Sequence, residues 1–123
     1  MKNILVVFLL MLLAGCGSAK FSDGKVLNKS AEVSYYADKF NGRKTASGEK
    51  FSNNKLTAAH RKLPFGTKLK VTNLANRESV VVVVNDRGPF KRGRELDLSK
   101  KAFMKITDNK NHGILRVSIS VVR

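Results

Sequence analysis

"VVVVVNDRGPF", residues 80–90, is the stretch on which the reading of the fold turns. Five successive valines suit a strand buried on both faces, because β-branched side chains are stiff at χ1 and pack well on a pleated sheet. An amide, a carboxylate, a guanidinium, a glycine and a proline follow with no polar transition. Gly88 and Pro89 turn the chain, so Asp86 is expected to project from a sheet rim on rigid support. A carboxyl set beside valines and Phe90 is placed as a general acid would be. An Asp that caps the turn and pairs with Arg87 accounts for the same residues.

The neighbouring segments are also strand-like. "KLKVTNL", residues 68–74, alternates with Leu69 and Val71 on one face, and "ANRE" after it reads as a turn. In "ILRVSISVV", residues 114–122, Leu115, Val117, Ile119 and Val121 face one way and Arg116, Ser118 and Ser120 the other. "VSYYA", residues 33–37, is a short aromatic strand. "KFNGRKTASGEKFSNN", residues 39–54, has no period and is long enough to suspect function. One helix is expected over Lys100–Ile106, with Ser99 as N-cap and Leu98 and Phe103 as a hydrophobic staple. Many short strands with one or two short helices imply a mainly β fold, a closed barrel.

The chain has 123 residues, enough for one domain, and is 42% hydrophobic. Its net charge of +15 favours anionic partners. A single cysteine, Cys16, excludes an intramolecular disulfide. Ile4–Leu13 is an unbroken apolar run, too short to span a bilayer and suited to a signal-peptide core. It leads into "LAGC", residues 13–16, which resembles the bacterial lipoprotein processing signal. That resemblance implies a signal peptide over 1–15, a lipid on Cys16 and a polar, flexible tether over 16–32. The domain is expected over 33–123. Gly17, rather than Asp, after the cysteine points to the periplasmic side of the outer membrane. Export argues against nucleic acid as a partner and turns the basic charge towards the cell wall.

Without a cysteine pair, a metal-binding His motif or a phosphate loop, metal and nucleotide chemistry have little to build on. Candidate acid–base groups are Glu49, His60, Asp86, Asp97 and His112. His60, ahead of a Pro–Gly turn, suits a structural hydrogen bond at least as well as catalysis. Glu49 is a loop carboxylate, and Asp97 in "ELDLS" reads as a buried structural acid. His112 reads as exposed and inert.

"YADKFNGRKTASGEKF", "LTAAHRKLPFGTKLKVTNLANRESVVVVVNDRGPF" and "GRELDLS" together resemble the rare lipoprotein A family over about residues 33–123. The resemblance implies a six-stranded double-psi β-barrel with a groove across its face. It implies a lytic transglycosylase that cleaves the MurNAc–GlcNAc bond of peptidoglycan, leaves 1,6-anhydroMurNAc ends and needs no metal or cofactor. The family's active-site residues fall on Glu49, His60 and Asp86. Asp86 would protonate the leaving oxygen, and Glu49 and His60 would position the sugar or tune the acid. Tyr36, Arg43 and Arg87 are the expected substrate-binding residues. Cell-wall or division proteins are further candidate partners.

The sequence departs from the family pattern in places. Tyr35 stands where Trp is common, Asn41 where a loop histidine is, and Arg77 where a hairpin glycine is expected. Many members also carry a C-terminal SPOR domain that binds denuded glycan; no such domain is expected here, so substrate binding is expected from the barrel or a partner. The rival reading is a non-catalytic glycan-binding lipoprotein. Lys39, Lys44, Arg61, Lys62, Lys91 and Arg92, with Arg43 and Arg87, would then face an anionic wall.

Overall fold

The computed structural model describes residues 23–123; the signal segment and Cys16 lie outside the described residues. Six strands close a barrel: β1 (Asp23–Tyr35), β2 (Thr57–Ala59), β3 (Lys68–Asn73), β4 (Ser79–Asp86), β5 (Arg94–Leu98) and β6 (Leu115–Val122). The order around the barrel is β1-β5-β2-β4-β3-β6. Two pairs, β1/β5 and β2/β4, are parallel and the rest antiparallel. This is the expected mainly β, double-psi architecture. The helix α1 (Lys100–Ile106) and a 3₁₀ turn (Asp38–Phe40) complete it.

Alternation builds the core. Val80, Val82 and Val84 point inward and are buried, while Val81 and Val83 are half-buried. The valine strand is therefore not buried on both faces: barrel closure covers only the inner one. Leu69 and Val71 on β3 face Val82 and Val80 across the ladder, and Ile119 on β6 pairs with Val71. Phe103 and Ile106 of α1 are fully buried in the same cluster. Ser99 caps the helix as expected, its Oγ accepting from the Ala102 amide and donating to the Lys55 carbonyl. At the other helix end, the buried Asn73 donates Nδ2–H to the Ile106 carbonyl at 2.7 Å.

A further expectation needs correction. Residues 23–32 are not a loose tether. They belong to β1, which runs antiparallel to β6 from Asp23↔Val122 to Val33↔Leu115. Backbone pairing is indifferent to the polar side chains of this stretch, whose outer face meets solvent. Gly24 allows the approach, since a Cβ there would lie 2.5 Å from the Val121 carbonyl oxygen. The turn before β4 keeps its left-handed residue without glycine: Arg77 adopts φ 66°. Among the described residues, no helix is long and apolar enough to cross a membrane.

Candidate active site

The short strand β2 lies between β4 and β5, and the register sets what flanks it. Ala59 pairs with Asp86 on β4 and with Asp97 on β5. Asp97 in turn pairs with Ser34 on β1. A row of Asp86, Ala59, Asp97 and Ser34 thus crosses four neighbouring strands. The β2–β4 register shifts between Ala58 and Ala59, so that Asn85 is passed over, and Val84 and Asn85 are both buried. Such a bulge re-aims the side chain after it, and here that side chain is Asp86. Gly88, at φ 122°, carries the chain away from the strand end in a backbone region open chiefly to glycine.

Above this row opens a cavity of about 580 Å³, lined by Asp86, Asp97, Tyr36, Arg43, Arg87 and Phe90 among others. Asp86 is held from three sides. Its Oδ1 accepts from the amides of Ala46 and Arg87, both at 2.9 Å, and its Oδ2 from the Tyr36 hydroxyl at 2.6 Å. Ala46 lies in the long loop, which folds back through a bridge between Lys44 and Lys50 and thereby delivers its amide to the carboxylate. Tyr36 stacks on the buried Phe51, ring centroids 4.1 Å apart, and meets Phe40 edge-on. Burial, then the Asp86 hydrogen bond and charge, then the charge of Asp97, push the Tyr36 phenol far above its usual value. The phenol therefore stays a donor.

Asp97 is not an enclosed structural acid. Its side chain is 26% exposed and faces the cavity; Ser34 Oγ donates to its Oδ1 at 2.6 Å, and Arg94 Nη1 lies 4.0 Å from the same oxygen. The sequence reading counted Asp97 among the candidate acid–base groups but took it for a buried structural acid. The "GRELDLS" motif was its signal, but nothing local says that the strand carrying it runs beside β2.

The other expected site residues divide. Arg43 lines the cavity with its guanidinium over the Phe40 ring. Arg87 lines it too, yet its Nη1 donates to the carbonyls of His60 and Leu63 and its guanidinium lies 4.1 Å from the Phe65 ring centroid. Arg87 therefore ties the loop after β2 to the end of β4 rather than pairing its guanidinium with Asp86. His60 and Glu49 are not among the cavity-lining residues. The buried His60 ring accepts at Nδ1 from the amides of Lys62 and Leu63, which leaves Nε2–H to bond Glu95 Oε2 at 3.1 Å. Its backbone amide, however, donates to the Asp86 carbonyl at 3.1 Å. Glu49 is exposed and accepts from Ser47 Oγ in the loop that reaches Asp86. The bland reading of His60 fits its side chain, and Glu49 stands one loop away from the carboxylate. His112 is exposed, 3.7 Å from Asp108. Among the described residues no three His, Cys, Asp or Glu side chains gather as a metal site.

Comparison with known proteins bears on the fold and the family. A probable endolytic peptidoglycan transglycosylase RlpA of Treponema pallidum is 52% identical over 99 residues, 80% of this chain and 31% of that protein. The protein of the same name from Synechocystis is 52% identical over 95 residues, 77% of this chain and 29% of its own. The Rickettsia felis endolytic peptidoglycan transglycosylase RlpA is 48% identical over 98 residues, 77% and 42%. The chain thus spans less than half the length of these curated relatives. Among solved structures, a Streptomyces papain inhibitor superposes with a TM-score of 0.63 at 21% identity, covering 85% of this chain and all of that one. A Clavibacter michiganensis expansin superposes at 0.61 with 24% identity, covering 79% and 51%. A variant of it in complex with cellohexaose gives 0.62 at 22% identity with the same coverage. These likenesses establish the barrel. The family model described as lytic transglycolase matches residues 28–119, and on that match, with its RlpA relatives, the chain belongs to the lytic transglycolase family.

Proposed function

We propose that this protein is a lytic transglycosylase of peptidoglycan, a lyase that breaks the MurNAc–GlcNAc bond and leaves 1,6-anhydroMurNAc ends. The observation that carries the reading is Asp86: a carboxylate on the end of the valine strand, fixed by three donors and facing an open cavity. The names of the RlpA relatives support the substrate and the reaction. A cavity of about 580 Å³ falls within the roughly 300–1,000 Å³ of ordinary ligand sites, enough for part of a glycan strand. Internal attack by the MurNAc C6 hydroxyl on C1 removes the need to activate water. What the protein must supply is proton transfer, worth roughly 10²- to 10⁴-fold, together with a held sugar. Arg43 and Tyr36 line the place where the sugar would sit. Glu49 and His60 support the site from behind, through the loop and the β2 backbone, rather than by touching the glycan. A lipid on Cys16 would hold the domain on the periplasmic face of the outer membrane, next to its substrate.

The test is product analysis by mass spectrometry after incubation with peptidoglycan. Wild type should release anhydro-muropeptides. Asp86→Asn should fold, bind glycan and lose about 10²-fold or more of that release. A second reading, a glycan-binding module without lysis, draws on the expansin likeness and its cellohexaose complex. Wild type that sediments with the wall yet never yields an anhydro end would establish it instead.

A further inference from the structure

We propose that Asp97 is a second catalytic carboxylate of this cavity, giving its proton to the leaving glycosidic oxygen while Asp86 accepts the proton of the attacking hydroxyl. The proposal rests on the transglycosylase reading and divides its chemistry between two residues. Asp86 and Asp97 are both register partners of Ala59. They therefore stand two strand spacings apart, roughly 10 Å between backbones. Only the methyl group of Ala59 separates them in the row, and both line the same cavity. Their charges both act on the Tyr36 phenol.

Their hydrogen bonding differs. A carboxylate offers about four lone-pair positions, and on Asp86 three of these already face the hydrogens of Ala46, Arg87 and Tyr36. A proton carried there would compete with those hydrogens for position. Asp86 is thus built as an acceptor. On Asp97, Ser34 and Arg94 both address Oδ1. Among the described residues no hydrogen bond is made to Oδ2, which can carry a proton and present it to the cavity. The charged and titratable groups around the cavity are Tyr36 just after β1, Asp86 at the end of β4 and Arg87 just after it, Arg94 and Asp97 itself on β5, and Arg43 and Lys44 on the loop.

The step balances without a co-reactant. The bond from C1 of MurNAc to the leaving oxygen breaks, and its electron pair stays with that oxygen, which takes the Asp97 proton. The C6 hydroxyl oxygen forms the new bond to C1 and passes its proton to Asp86. Exchange with solvent then returns the proton to Asp97. Ser34, whose hydroxyl orients Asp97, is a positioning residue.

A substrate with a leaving group that needs no proton separates this role from a structural one. The purified protein is assayed on peptidoglycan and on a muramyl glycoside of 2,4-dinitrophenol. Asp97→Asn should lose about 10²-fold or more on peptidoglycan and keep nearly the wild-type rate on the aryl glycoside. Asp86→Asn should fail on both. Ser34→Ala, a milder change, should show the same substrate-dependent pattern with a smaller loss, and it carries the test if Asp97→Asn does not fold. Equal losses on the two substrates in these variants, or undiminished peptidoglycan cleavage by Asp97→Asn, would overturn the assignment alone. A wild type that yields no anhydro end would overturn the transglycosylase reading and the assignment with it.

Discussion

Tyr36 and His60 show how differently two polar rings serve one carboxylate. Tyr36 donates to Asp86 directly, and its phenol is held protonated by burial and by the acids around it. The sign of the pH effect follows. In the unfolded chain the phenol ionises near its ordinary value of 10.0, while in the folded protein it keeps its proton to higher pH. The folded state then binds more protons, so stability present below about pH 10 is lost as pH rises further. Urea melts across pH 9 to about 11 should show this alkaline loss in wild type and a weaker one in Tyr36→Phe. A parallel decline in both would contradict it. His60 acts on structure. His60→Ala leaves two amides and Glu95 without the ring they bond. The expected cost is about 1–3 kcal/mol, read as a lower melting temperature. Activity per folded molecule should fall far less than in Asp86→Asn, and an equal loss would return His60 to the chemistry.

At the scale of the element, β4 is the mount for the site. Its inner valines are the ones that matter. Val82 is fully buried, whereas Val81 is half-buried on the outer face. Val82→Ala should cost about 1–3 kcal/mol through lost transfer energy and the cavity left behind. Val81→Ala should cost well under half of that in the same denaturant titration. Similar costs would mean that the strand is covered on both faces after all. The long loop of residues 39–54 has the complementary task, because its Ala46 amide completes the acceptor shell of Asp86. Strand and loop together hold the Asp86 carboxylate in place although it stands at a strand end.

For the whole molecule, the strand β1 begins at Asp23, so few residues separate the barrel from Cys16. A lipid on that cysteine would hold the barrel close to the membrane surface, since an extended residue spans at most about 3.5 Å. Fractionation tests the anchor. Wild type should partition with membranes and Cys16→Ser should not, because only acyl chains supply the roughly 0.8 kcal/mol per buried methylene that anchoring needs. Wild type recovered soluble and unacylated would remove the anchor. The net charge of +15 predicts that wall binding weakens as salt rises.

The residues alone were sufficient for what depends on near neighbours in the chain. Alternation in residues 68–74 and 114–122 marked β3 and β6, Ser99 marked the helix start, and the valine run marked the strand that presents Asp86. These follow from local stereochemistry and side-chain period, which a short window contains. The motifs, matched as whole stretches, carried the family and its barrel. Closure of the barrel decided the rest. The three-residue β2 has no period to read, and β1 draws a polar segment into the ladder because β6 needs a partner. The site is made of residues far apart in the chain: Tyr36 meets Asp86 across 50 positions and Ser34 meets Asp97 across 63. No sequence window holds such a pair. Only the register of β4, β2, β5 and β1 aligns two carboxylates over one alanine and turns the His60 ring away from them.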